Sequence, residues 1–343
     1  MPQTLHLDAT IPSDIAHAAE LLRQGRLVAF ATETVYGLGA NALSSAAVAA
    51  IFAAKQRPAW DPLIVHIATI DQLPAITEIS ATLAPRIRLL TDAFWPGPLT
   101  LLLPRNAAIP DAVTAGRELV GVRVPSHPAA QALLRAAGVP IAAPSANLFG
   151  HTSPTTAAHV LADLNGRIDA VLDAGPTTVG VESTVLDPTQ TPMVLYRPGA
   201  VTAEQITAAT GVAVETFTPA ATTSTPESLP SPGVGLRHYA PRATLHLVEG
   251  TAAALAAARN AARLPTEAIG LLLPLDWSLE LETVAVIQPW ARWDDPDALA
   301  ATLFAGLRAL DDRGVQLILA PLPPPGGLRD ALRDRLQKAA RPA

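Results

Sequence analysis

Between residues 218 and 230 the chain reads TPAATTSTPESLP, small polar residues and prolines with no apolar periodicity. Such a segment cannot bury enough apolar surface to offset the entropy of ordering it, so it connects and does not build a core. Hydrophobic residues nevertheless make up 49% of the 343 residues. They must be buried on either side of the break, in separate cores. The reading places a first domain over 1–212, a connector over 213–243 and a second domain over 244–343.

The two sides carry different patterns. On the first, RLVAFATE (26–33) and DPLIVHIA (61–68) read as buried strands, and SSAAVAAIFAAK (44–55) as a helix capped by serine. Residues 70–94 read as mostly helical with a break near Pro85. LTLLLPR, LVGVRVP, VPIAAPSAN, DAVLDAG, STVLDP and MVLYRPG follow as short strands, with helices near 128–137, 155–164 and 202–210. Several strands lack helical crossovers, which predicts an α/β fold with a mixed sheet. On the second side, ATLHLVEG, AIGLLLPL, TVAVIQPW and VQLILAPLP alternate with helices near 251–263, 296–312 and 327–340. That spacing predicts a small parallel sheet of Rossmann-like type. It carries no G-x-G-x-x-G fingerprint, so no dinucleotide is expected there.

Composition removes several chemistries. The chain has no cysteine, which excludes disulfides, thiolate metal sites and a cysteine nucleophile. No apolar run reaches the roughly 18 residues of a membrane span. The first residues, MPQTLHLDATIPSD, lack a basic stretch followed by an apolar one. No signal peptide is expected, and the expected compartment is the cytoplasm. A net charge of −6 argues against nucleic-acid binding by the whole surface and leaves room for a local basic groove. The only lysines are Lys55 and Lys338; every other cationic side chain of this kind is arginine.

Four stretches place polar residues at the ends of apolar strands, where α/β sheets commonly bind ligands. In ATETVYGLGAN (31–41), Thr32, Glu33, Thr34 and Tyr36 follow a buried strand. The same stretch alone also fits a plain strand-to-helix turn. In KQRPAWDPLIVHI (55–67), Lys55 and Arg57 end a helix and His66 interrupts an apolar strand. A favourable charge at a helix end and a core histidine would account for them equally. In VRVPSHP (122–128) and APSANLFGHTSPT (143–155), Arg123 lies inside an apolar strand and must have an anionic partner or an opening to solvent. Ser145 and Asn147 end a strand there, and Ser153 precedes a helix it could simply cap. In GVESTVLDP and VLYRPGA, Ser183, Thr184 and Arg197 again sit at strand ends. Separated cationic groups, many hydroxyls and glycine turns describe a site for phosphates and a small zwitterion. No P-loop, G-x-S-x-G or H-E-x-x-H motif is present, so any nucleotide is held in another way.

Taken in order, TETVYGLGANA, KQRPAWDPLIVHI, WPGPLTLLL, VGVRVP, APSAN, ESTVLD and YRPGAV resemble the YrdC/Sua5 family. The signature pairs are K-x-R and S-x-N, here Lys55 and Arg57 with Ser145 and Asn147. SPGVGLRHYAP followed by a small α/β domain resembles the longer Sua5 type. The resemblance implies a YrdC-like twisted mixed sheet and L-threonylcarbamoyladenylate synthase activity. L-threonine, bicarbonate and ATP would give threonylcarbamoyl-AMP and pyrophosphate. A separate transferase complex would pass the threonylcarbamoyl group to adenosine 37 of tRNAs, and tRNA itself is a possible partner. The resemblance also implies site roles. Thr32, Thr34, His66, Arg123, Ala143 and Ser183 would hold threonine and carbamate. Lys55, Arg57, Asp61, Ser145, Asn147, Ser153, Arg197 and Tyr239 would hold ATP. Asp61 stands where many relatives carry asparagine. Lys55 and Arg57, with Mg²⁺ on the phosphates, would offset the repulsion between a carboxylate nucleophile and ATP. No protein ligand to the metal is assigned.

Two other readings fit parts of the pattern: an RNA-binding module without catalysis, and a carbamoyl-phosphate-dependent enzyme. The connector ends in Arg237, His238, Tyr239 and Arg242, side chains that a spacer does not need. They are expected to form a lid over the nucleotide, with Tyr239 touching ATP.

Overall fold

The computed structural model describes residues 3–218, 231, 238–279 and 286–341. The chain forms two compact units. The first holds residues up to Phe149, Pro154–Thr178 and Glu182–Gly235; the second holds Gly150–Ser153, Val179–Val181 and Leu236 onward.

The first unit runs β1 (Leu5–Asp8), α1 (Pro12–Arg23), β2 (Val28–Ala31), β3 (Tyr36–Asn41), α2 (Ser45–Lys55), β4 (Ile64–His66), α3 (Ala84–Phe94), β5 (Leu99–Pro104), α4 (Asp111–Thr114) and β6 (Leu119–Arg123). It continues with α5 (Pro128–Ala137), β7 (Ile141–Ala142), α6 (Ala157–Leu164), β8 (Ala170–Asp173), β9 (Thr184–Asp187), β10 (Met193–Arg197), α7 (Ala203–Thr210) and β11 (Val214–Thr216). Its strands form one mixed sheet in the order β1-β8-β2-β3-β7-β4-β6-β5-β9-β10-β11. β2 and β3 pair antiparallel, as do β5 and β6, while β4 runs parallel to β6. Apolar side chains from α2, α3 and the central strands pack into one core, among them Val48, Ile51, Val65, Ile87, Leu101 and Val122. A smaller core lies under α1 and α5, with Leu22, Phe30, Leu133 and Leu134.

Local chemistry explains the starts and stops. Ser44 caps α2 by accepting from the Ala47 amide, and Gln56 ends it in the left-handed region. α3 carries a proline at its start, where the missing N–H costs nothing. Pro85 therefore opens a helix instead of breaking one, and the preceding Ile70–Ala75 is a separate 3₁₀ turn. The 31–41 stretch is not a strand-to-helix turn: Tyr36–Asn41 is a strand hairpinned onto β2. The sheet also extends into the segment that composition marks as a connector, since β11 pairs with β10 in parallel.

The second unit runs β12 (Thr244–Glu249), α8 (Ala252–Ala261), β13 (Ile269–Leu273), β14 (Val286–Pro289), α9 (Pro296–Asp312), β15 (Leu317–Leu322) and α10 (Leu328–Ala339). The sheet order is β12-β15-β13-β14, and every pair is parallel. Among the described residues no helix is long and apolar enough to cross a membrane.

Candidate active site

The turn between β2 and β3 is built from its own hydroxyls. Thr32 Oγ1 donates to the Val35 carbonyl at 2.7 Å and lies 2.8 Å from Thr34 Oγ1. Downstream, the Tyr36 hydroxyl donates to the Gly175 carbonyl at 2.7 Å, which fixes where β3 begins. Thr34 in turn accepts from Arg123 Nη1 at 2.9 Å. Arg123, the last residue of β6, also donates through Nε to the Gly97 carbonyl at 3.1 Å. Its Nη2 lies 2.7 Å from Glu33 Oε1, and both side chains are almost wholly buried. This is the anionic partner that an arginine in an apolar strand requires. His66, at the end of β4, pairs with Arg123 across the sheet. Burial and the Arg123 charge push its imidazole down to about 3, so it is neutral near pH 7.

A second group adjoins the first. Ser183 precedes β9, and its Oγ lies 2.8 Å from Thr100 Oγ1. Arg197 ends β10 and donates to the Ser183 carbonyl at 3.0 Å and to its Oγ at 3.2 Å. Gly199 makes this approach possible: a β-carbon there would lie 2.4 Å from the Thr184 nitrogen. Gly97 and Pro98 join the two groups, since the Gly97 amide donates to the Val124 carbonyl and the Thr184 amide to the Pro98 carbonyl.

The third group surrounds the end of α2. Lys55 is 1% exposed, and its ammonium donates to the carbonyls of Ser145 (2.5 Å) and Asn147. Burial, then the neighbouring Arg57 charge, holds the Lys55 amine well below its ordinary range. Arg57 pairs with Asp61 at 2.9 Å, donates to the Pro62 carbonyl at 2.8 Å, and lies over the Phe149 ring at 5.9 Å. The strand-like stretch 143–147 runs beside these groups. The Ala143 amide donates to the Ile64 carbonyl, the Ala146 amide to the Tyr36 carbonyl, and Ser145 bridges to Gly37.

The structure thus brings Thr32, Thr34 and Arg123 into direct contact, then Ser183 with Arg197, Lys55 with Ser145 and Asn147, and Arg57 with Asp61. Ser153 and Tyr239 belong to the second unit instead. Tyr239 is buried there, stacked on Phe304 of α9 at 5.8 Å, with the Arg335 guanidinium of α10 5.2 Å from its ring. Arg242 meets Asp311 and Asp312 at the end of α9, and Arg237 lies outside the described residues. One contributor, Thr100, carried no signal in the sequence. Glu33 stands among the polar residues that the sequence reading singles out after β2, but without an assigned role; the structure makes it the anion that Arg123 demands.

Two family models match the chain. One, covering Sua5, YciO and YrdC and described as telomere recombination, matches residues 20–199. The other, the threonylcarbamoyl-AMP synthase C-terminal domain, matches residues 201–341. The chain belongs to the Sua5/YrdC family. Threonylcarbamoyl-AMP synthase of Bacillus subtilis is 42% identical to it, over 97% of this chain and 94% of the relative. That of Pyrococcus abyssi is 41% identical, over 94% and 93%. The crystal structure of P. abyssi Sua5 complexed with L-threonine superposes with a TM-score of 0.84 at 38% identity, covering 99% of this chain and 98% of that one. The likeness spans both units, so the chain is a Sua5/YrdC protein of the two-part kind.

Proposed function

We propose that the chain is an L-threonylcarbamoyladenylate synthase, converting L-threonine, bicarbonate and ATP to threonylcarbamoyl-AMP and pyrophosphate. The observation that carries this reading is Arg123. A buried, preoriented guanidinium already faces a carboxylate, in a chain that resembles a threonine-bound structure along nearly its whole length.

Arg123 binds the carboxylate of threonine, a planar pairing that suits arginine. Thr32, Thr34, His66, the Ala143 backbone and Ser183 line the same pocket. Threonine carrying a carboxylate on its nitrogen attacks the α-phosphorus of ATP, and pyrophosphate leaves. A carboxylate nucleophile needs no general base, so the protein's task is to offset negative charge. Arg57, Arg197 and Ser145 serve the nucleotide, together with Asp61 and Asn147. Lys55 acts on this side too, by holding the 145–147 backbone in place. Among the described residues no group of three or more His, Asp or Glu could hold a metal ion. Mg²⁺ belongs in this proposal as the counterion that ATP carries on its phosphates.

The product is an acyl adenylate, which water destroys. A downstream transferase complex takes the product to tRNA in the cytoplasm; the stretch expected to form a lid lies largely outside the described residues. The test is pyrophosphate release by the full chain. Release that requires both threonine and bicarbonate supports the reading; release with carbamoyl phosphate in their place, or none, refutes it.

A further inference from the structure

Arg123 is fully engaged on two sides, by Gly97 through Nε and Thr34 through Nη1. Its third nitrogen, Nη2, touches Glu33 Oε1 at 2.7 Å but is not aimed along a hydrogen bond. A substrate carboxylate arriving at this guanidinium competes with Glu33 for that nitrogen. The α-amine of an amino acid is one carbon removed from its carboxylate, so the same docking delivers the amine to Glu33. We propose that Glu33 receives the proton released when the amine of the bound amino acid is carboxylated. This rests on the synthase reading above.

The step balances. The ammonium gives one proton to the Glu33 carboxylate, and the freed nitrogen lone pair forms a bond to the carbon of bicarbonate. The C–O bond to hydroxide breaks, and hydroxide leaves as water with a second nitrogen proton. The products are the N-carboxylate, water and protonated Glu33. Each charged or titratable group facing Glu33 fits this division of labour. Burial pushes the Glu33 carboxyl up, but Arg123 and the Glu33 and Ser126 amides outweigh it and hold the carboxyl below its ordinary range. Drawing Arg123 onto the substrate removes the strongest of those opposing effects and leaves burial, which favours the protonated acid. The same exchange does not free His66, whose depression comes from burial first. His127 is also depressed by burial, and its Nδ1 already accepts from the Ala129 amide.

Glu33→Gln in the full chain tests this, with thermal melting to confirm folding. Calorimetry with L-threonine alone should give a dissociation constant within about 3-fold of wild type, or tighter. Bicarbonate-dependent pyrophosphate release at pH 7 should fall about 10²-fold. That defect should shrink as pH rises toward 9.5, where free amine forms in solution. Unchanged turnover overturns the proposal, and so does a weaker threonine affinity with a pH-independent rate defect, which would make Glu33 only a brace for Arg123. Glu33→Asp keeps a carboxylate and guards against misfolding of the Gln variant. A reduced rate with the wild-type pH profile supports proton acceptance, and a Gln-like profile overturns it. Failure of wild type to require threonine and bicarbonate would instead sink the synthase reading.

Discussion

Arg197 grips Ser183 twice, through Nε to the backbone carbonyl at 3.0 Å and through Nη2 to the hydroxyl at 3.2 Å. The guanidinium makes the two bonds from separate nitrogens of one rigid fork, a geometry that a lysine ammonium does not reproduce. Arg197→Lys should therefore release Ser183 while keeping the charge. Leaving a buried polar group unsatisfied costs about 1–3 kcal/mol, which urea unfolding will read. Steady-state assays should show the threonine KM rising as well as that of ATP. A change in the ATP KM alone would mean that Arg197 does not position Ser183.

Lys55 donates to two backbone carbonyls, those of Ser145 and Asn147. Lys55→Met should lower stability by about 2–4 kcal/mol, the cost of two unsatisfied carbonyls in a buried setting. Hydrogen exchange should report faster opening of the amides at 146 and 149, which flank the released loop. A variant that keeps wild-type stability and exchange yet loses turnover would assign Lys55 to the phosphates directly.

His66 gives the fold an acid-sensitive term. Its folded value near 3 lies below the ordinary 6.5, so the unfolded chain binds the extra proton first. The stability tied to neutral His66 is fully present above pH 6.5 and is lost as pH falls toward 3. The slope is about 1.4 kcal/mol per pH unit inside that window. Between pH 7.5 and pH 5, wild type should lose about 2 kcal/mol more than His66→Gln. The depressed value of Glu33 acts only below its ordinary 4.5, outside this range. Equal losses in the two proteins would show that His66 is not held neutral.

Tyr239 serves the second unit's interior, between Phe304 and Arg335. Tyr239→Ala should cost about 3–5 kcal/mol by opening a cavity there. Hydrogen exchange should quicken in α9 and α10 and stay unchanged in β2–β6. If exchange is unaltered while the ATP KM rises, the ring's main partner is the nucleotide.

Much of this was legible from the sequence because the signals were local. Ser44 before an apolar run marks the start of α2, and the α5 and α9 helices fall where the 3.6-residue pattern puts them. The resemblance pointed to Arg123, Ser183 and Arg197 by motif. What was hidden depends on distant partners. The 31–41 stretch also fitted a strand-to-helix turn, because nothing local says that β2 and β7 will flank residues 36–41. Lys55 read as a helix-end charge or a charge for ATP, because its acceptors are carbonyls 90 and 92 residues away. The pairing of Glu33 with Arg123 was implied by burial alone, yet nothing local identified which acid answers.

Gly150–Ser153 and Val179–Val181 lie in the sequence of the first unit but pack with the second. Thr152 accepts from Arg308 of α9, and Gly180 lies so close to α9 that a β-carbon would sit 2.3 Å from the Ala300 carbonyl. The two units are therefore not interchangeable modules. A gene fragment ending at the connector would encode two loops shaped for a helix it no longer contains, and a fragment beginning there would encode a helix missing the backbone it was shaped to receive.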